Sequence, residues 1–171
     1  DEEWGKPLHD DQKLFELLCM ETYQAGLSWE TILNKRQAFR EAFHFYDAQK
    51  IAQMTDADLD DLLDNADIIR NKMKIYATRA NAQAFLAVQK RFGSFNDYIW
   101  SFVDFKTIDN EILDYEEAPA KTELSETMSK ALKKQGFKFV GPVCVYSFLE
   151  AAGLINDHEN DCDFNPRKNT V

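Results

Sequence analysis

The segment Asp10-Asp-Gln-Lys-Leu-Phe-Glu-Leu-Leu-Cys-Met-Glu-Thr-Tyr-Gln-Ala-Gly-Leu-Ser-Trp29 reads as helix, break, helix. Leu14, Phe15, Leu17, Leu18 and Met20 fall at spacings that line one face of a helix begun at the Asp10-Asp11 pair. Gly26 interrupts that helix. Ser28 then caps a second one, expected from Trp29 to about Phe43, with Ile32, Leu33, Ala38 and Phe39 inward.

Outward from this segment the same period continues. Thr55-Asp-Ala-Asp58 has the form of a capping box opening an acidic helix whose apolar side is Leu59, Leu62 and Leu63. A long helix is expected from about Arg70 to Lys90, ending before Gly93, and Ser94-Phe-Asn-Asp97 forms another capping box ahead of Tyr98, Ile99, Trp100 and Phe102. Residues 104–122 read as an irregular acidic connection. Helices follow from Ser125 to Gln135, stopped by Gly136, and from Gly141 or Pro142 to Ala152, closed by Gly153. Leu154 to Val171 reads as a short polar tail. With no repeat and no hairpin signal for strands, the expectation is one all-α domain over residues 1–171.

That length suffices for a substantial core, and no run of about 18 apolar residues offers a membrane span. Cys19, Cys144 and Cys162 form an odd set without framework spacing, which suits a reducing cytoplasm. A net charge of −10 argues against a nucleic-acid binder, because phosphate neutralisation needs Lys and Arg. The charge is unevenly placed, however. Residues 56–67 hold six Asp and no base, whereas 70–79 carry Arg70, Lys72, Lys74 and Arg79, and 127–141 carry Lys130, Lys133, Lys134 and Lys138, neither with an acid. A face can be basic when the total is not; either cluster alone would read as a solvated helix face.

Three places have the residue types for chemistry. Glu21 ends an apolar helix, and Trp29 follows across a tight turn. A terminal Glu is ordinarily solvated and a Trp ordinarily core, yet together they supply what a nucleobase pocket needs: a carboxylate to accept from an exocyclic amine and a π-face to stack on the ring. Lys133-Lys-Gln-Gly-Phe-Lys-Phe-Val-Gly-Pro142 is a short glycine-bounded link between helices. Backbone N–H groups at such a helix start bind phosphate oxygens, and the lysines add attraction; an ordinary helical hairpin is the competing reading. His158 and Cys162 have ligand spacing for a tetrahedral zinc, but two ligands do not make a site. Neither Ser28 nor Cys19 has a local base, so nucleophilic catalysis draws no support.

These phrases resemble the 3-methyladenine DNA glycosylase I (Tag) family. The resemblance lies in Asp1-Glu-Glu-Trp-Gly5, Lys13-Leu-Phe-Glu16, Glu21-Thr-Tyr-Gln-Ala-Gly-Leu-Ser-Trp29 and Ile68-Ile-Arg70. It continues, in family order over nearly the whole chain, in Tyr98-Ile-Trp-Ser-Phe102, Ser129-Lys-Ala-Leu-Lys-Lys134, Gly136-Phe-Lys-Phe-Val-Gly141, Tyr146-Ser-Phe148 and Gly153-Leu-Ile-Asn-Asp-His158. It implies a helix-hairpin-helix glycosylase fold and hydrolysis of the N-glycosidic bond of 3-methyladenine in duplex DNA, by a cytoplasmic monomer that releases the free base. By the same resemblance Glu21 is the carboxylate that binds the extruded base, Trp29 and Trp4 are pocket aromatics, and Tyr146 and Ser147 lie near the pocket floor. Gly26 and Leu27 match the turn that wedges into the DNA stack. Lys134, Gly136, Lys138 and Gly141 match the DNA-binding hairpin. His158 and Cys162 match half of a structural zinc site.

Three departures accompany it. The family's residues ahead of Asp1, which carry the other two zinc ligands and further pocket aromatics, are not in this chain, which we expect to lack the family's N-terminal segment. The hairpin glycines are Gly136 and Gly141, where the wider superfamily has two glycines two residues apart. Asp67 stands where the family often has Gly. Two rival functions remain: a lesion-binding protein of the same fold without catalysis, and a helical protein-interaction module suggested by the acidic total.

Overall fold

A computed structural model describes residues 6–24, 28–68, 71–109 and 122–156; of Trp29, Asp109 and Asn156 it describes the backbone alone. The expected helices are there. Helix α1 (Asp11–Tyr23) starts where Asp10 accepts from the Lys13 amide at 2.9 Å, and Leu14, Phe15, Leu18 and Cys19 on its inner face are wholly buried. Ser28 accepts from the Thr31 amide at 3.1 Å and opens α2 (Trp29–Asn34).

The single helix expected over Trp29–Phe43 is instead two. The Lys35 amide is shared between the carbonyls of Thr31 and Ile32, and its backbone swings to φ −96°, ψ 0°, before α3 (Arg36–Ala42) begins. The kink turns Leu33, expected inward, out to 40% exposure, while Ile32 and Phe39 stay in the core. A left-handed 3-10 turn follows at His44–Tyr46, with φ of 53°, 55° and 60°. Such backbone costs about 1–2 kcal/mol per residue. It is held by burial of Tyr46 against Phe15 and Phe43 and by a 2.6 Å bond from the Gln12 amide to the Phe45 carbonyl. Periodicity did not reveal the short α4 (Ala48–Ala52), capped by Asp47. The capping box at Thr55 opens α5 (Asp56–Leu62) as expected, with both reciprocal bonds formed.

Helix α6 (Lys72–Phe92) is the spine, 21 residues against which α1, α4, α5 and α7 pack. It ends at Gly93, whose φ of +93° an L side chain rarely adopts. At α7 (Phe95–Ser101) the expected capping box is half formed. Ser94 accepts from the Asp97 amide, while the amides of Phe95 and Asn96 go to Asp11 of α1 at 2.9 and 2.7 Å.

The connection expected to be irregular contains β1 (Ile108–Asp109), which pairs in parallel with β2 (Ile155–Asn156). The start of the supposed polar tail is therefore core, with Leu154 and Ile155 buried. Residues 110–121 and 157–171 lie outside the described residues. Helix α8 (Glu123–Lys134) begins earlier than expected because Thr122 and Ser125 form a reciprocal cap. Gly136 (φ +105°) turns the chain, and Gly141 opens α9 (Pro142–Ala151), which packs on α8 and α1.

Candidate functional site

Glu21 lies in the last turn of α1 and is 6% exposed. Helix α9 packs against α1, and the Glu21 carboxyl has lost most of its water. Burial pushes its pKa from 4.5 to about 8, leaving the acid protonated at neutral pH. The solvated helix end is thereby excluded for this residue.

Two further groups converge on the same place. Cys144 of α9 has its thiol pushed up to about 12, first by burial and then by the neighbouring Glu21, with Lys74 of α6 acting in the opposite sense. Lys74 is itself buried, and its Nζ donates to the Tyr23 carbonyl at 3.2 Å, two residues beyond Glu21. Burial pulls its ammonium below the usual lysine value. The Tyr23 ring is clamped too: its hydroxyl bonds Thr78 at 2.8 Å and its face stacks on Phe39 at 4.5 Å. The end of α1 is thus fixed to α6 through backbone and side chain together.

Lys74 therefore does not belong to a basic surface. Arg79 of the same cluster bonds Asp56 at 2.7 Å and the Met54 carbonyl at 3.1 Å, and Lys72 lies over the Tyr76 ring. The other cluster is as open as its spacing suggested: Lys130, Lys133, Lys134 and Lys138 are all exposed. Gly136 lies beside them, and Gly141, as N-cap of α9, brings no side-chain acceptor to that helix's first amides. Those amides and lysines suit a phosphate backbone.

Tyr146 is buried on α9 and Ser147 is half-buried. Trp29 is the first residue of α2, but its side chain, like Trp4, Gly26 and Leu27, lies outside what the structure describes. His158 and Cys162 lie outside it as well, and among the described residues no group of three or more His, Cys, Asp or Glu could hold a metal ion. Asp67 keeps φ out of the left-handed region, so the turn there has no need of glycine. Lys74 escaped the sequence reading because its charge grouped it with solvated neighbours; its place one turn before Thr78 on the inner face of α6 was the available signal.

A helical body with a basic α8–α9 hairpin and a buried acid at the end of α1 has the architecture of a helix-hairpin-helix DNA glycosylase. The methyladenine glycosylase family model matches residues 1–166, and the chain belongs to that family. It is 51% identical over 162 residues to a DNA-3-methyladenine glycosylase of Haemophilus influenzae, covering 95% of this chain and 88% of the relative. To DNA-3-methyladenine glycosylase 1 of Escherichia coli it is 46% identical, covering 95% of this chain and 87% of the relative. A solved point variant of 3-methyladenine DNA glycosylase I in complex with 3-methyladenine superposes with a TM-score of 0.95 at 42% identity, over 97% of this chain and 89% of that one. Among the described residues no helix is long and apolar enough to cross a membrane.

Proposed function

We propose that this protein is a DNA-3-methyladenine glycosylase, hydrolysing the N-glycosidic bond of 3-methyladenine in alkylated DNA. The observation that carries the reading is Glu21, a water-deprived carboxyl at the end of α1 in a member of this family. Methylation at N3 gives the lesion a positive charge and makes it a far better leaving group, so the enzyme has less barrier to remove than one acting on a neutral base.

In this reading the hairpin lysines Lys134 and Lys138 and the amides after Gly141 hold the duplex backbone, and Gly26 with Leu27 fills the vacated stack. Extrusion costs a few kcal/mol, least for a weakly paired damaged base. The lesion enters beside Trp29, Trp4, Tyr146 and Ser147. Glu21, neutral before the lesion arrives, releases its proton to solvent and pairs as a carboxylate with the cationic base edge. A charge-assisted hydrogen bond of this kind contributes about 1.5–3 kcal/mol, one to two decades of preference over uncharged adenine. A water oxygen then bonds to the sugar carbon as the carbon–nitrogen bond breaks; the electron pair leaves with the base, now neutral, and the water's surplus proton passes to solvent. No general base is assigned among the described residues.

The enzyme acts as a monomer on double-stranded DNA in the cytoplasm, and a structural zinc with His158 and Cys162 among its ligands completes the proposal. Release of free base from methylated duplex tests it. Glu21→Gln should keep the fold and cut excision at least tenfold, in line with the loss of one charge-assisted hydrogen bond, about 1.5 kcal/mol or more. Unchanged release by that variant overturns the role of Glu21, and no release by the parent chain favours a lesion binder without catalysis.

A further inference from the structure

The hairpin between α8 and α9 is pinned from behind by two buried polar side chains. Asn81, in the middle of α6 and 1% exposed, accepts from the Lys138 amide at 2.7 Å and donates to the Lys138 carbonyl at 3.3 Å. One side-chain amide thus satisfies both backbone groups of a single hairpin residue, as a neighbouring strand would. Ser129, on α8 and also 1% exposed, donates to the Val140 carbonyl at 2.6 Å.

Between these two anchors stands Phe139, a non-glycine residue at φ +58°. Its neighbours Phe137 and Val140 are buried, whereas Phe139 itself is 42% exposed and Lys138 is exposed beside it. A bulky residue holds left-handed backbone only where its surroundings over-determine it. Here the surroundings are Asn81 on one side and Ser129 on the other. Gly136, at the start of the hairpin, closes on Ala84 of the same helix α6, where an added Cβ would meet the Ala84 Cβ at 3.6 Å.

We infer that Asn81 and Ser129 are positioning residues for duplex binding. They fix the backbone of residues 138–140 so that Lys138, Phe139 and the amides beyond Gly141 meet the DNA together. Neither side chain faces the duplex; both act through the hairpin. An asparagine and a serine in the interior of helices are weak helix formers, and burying them is costly unless every polar atom is satisfied. Their hydrogen bonds to hairpin backbone offset that cost. The inference rests on the hairpin being the DNA-binding element proposed above.

The test measures three things on Asn81→Leu and Ser129→Ala: affinity for methylated duplex, affinity for free 3-methyladenine, and melting temperature. Asn81→Leu keeps the volume but leaves the Lys138 amide and carbonyl without their side-chain partner. A hairpin out of place should weaken duplex binding on the order of tenfold and raise KM, with kcat at saturating duplex little changed. Free-base affinity, set at α1, should stay within about twofold of the parent. Asn81→Gln, which keeps the amide, should recover part of the duplex affinity. The inference is overturned if duplex affinity holds in both variants, if duplex and free-base affinity fall in parallel, or if neither variant folds, since each of the last two marks a purely structural role. Lys138→Glu runs alongside: normal duplex binding by that variant removes the hairpin reading itself, whereas weakened binding there with intact binding in Asn81→Leu removes only the positioning role.

Discussion

Lys74 donates from α6 to the backbone carbonyl of Tyr23 at 3.2 Å, closing the C-terminal end of the helix that carries Glu21. The last carbonyls of a helix lack intrahelical partners and carry the negative end of its dipole, so a buried ammonium there satisfies both needs. Because the two residues lie 51 apart in sequence, this contact also ties the chain's first helix to its longest.

Lys74→Met removes the charge and keeps most of the volume. A hydrogen bond from a charged group is worth about 1.5–3 kcal/mol, and urea unfolding of the variant should show a loss of that size. The end of α1 should also loosen, lowering affinity for free 3-methyladenine as well as for duplex. A loss of stability under about 0.5 kcal/mol would show that the contact contributes nothing net.

Glu21 makes stability depend on pH in a definite sense. Its folded-state pKa is raised to about 8 by burial. The stabilisation carried by its proton is therefore complete below the unfolded value and is lost as pH climbs through 8. Glu21→Gln cannot ionise, so melting curves should show the variant gaining on the parent between about pH 5 and about pH 9, by a few kcal/mol at most.

The same ionisation should shape excision. The carboxylate is the form that pairs with a cationic lesion, so kcat/KM on methylated duplex should rise with pH and level off near 8. In Glu21→Gln that rising limb should be missing. A limb of equal height in both proteins would assign the titration to another group.

Asp11 is placed to stabilise α7 from outside it. Its carboxylate accepts from the Phe95 and Asn96 amides and from Gln89 Nε2 at 2.9, 2.7 and 2.9 Å. Asp11→Ala should cost about 1.5–3 kcal/mol in urea unfolding, with free-base affinity unaltered at low temperature.

Two glycines at positive φ should respond differently to alanine. A Cβ on Gly153 (φ +81°) would fall 2.4 Å from the Pro7 nitrogen and 2.5 Å from the Lys6 carbonyl carbon, both of them backbone atoms with little freedom to retreat. Gly153→Ala should therefore lose about 3 kcal/mol or more. At Gly93 (φ +93°) nothing lies within 4 Å of the added carbon. Only backbone strain remains there, about 1–2 kcal/mol, and thermal unfolding of the pair should separate the two cases.

Sequence reasoning reached the helical class, the caps at Asp10, Ser28 and Thr55, and the stops at Gly93 and Gly136, because each rests on residues within one or two helical turns. The family phrases pointed to Glu21 and the hairpin as site candidates. Local spacing gave way at Lys35, where one shared amide splits a helix, and at Leu154 and Ile155, whose burial depends on pairing with Ile108 far earlier in the chain. It gave way again at Lys74 and Arg79, where charge alone suggested an open basic face and partners from other helices occupy the cations, while Lys72 stays exposed as that reading expects. Whether a carboxyl is ionised, whether a lysine is buried, and whether Asn81 meets a backbone 57 residues away are matters of which surfaces exclude water once the helices pack. Periodicity specifies the face each helix buries, but not the neighbour that covers it.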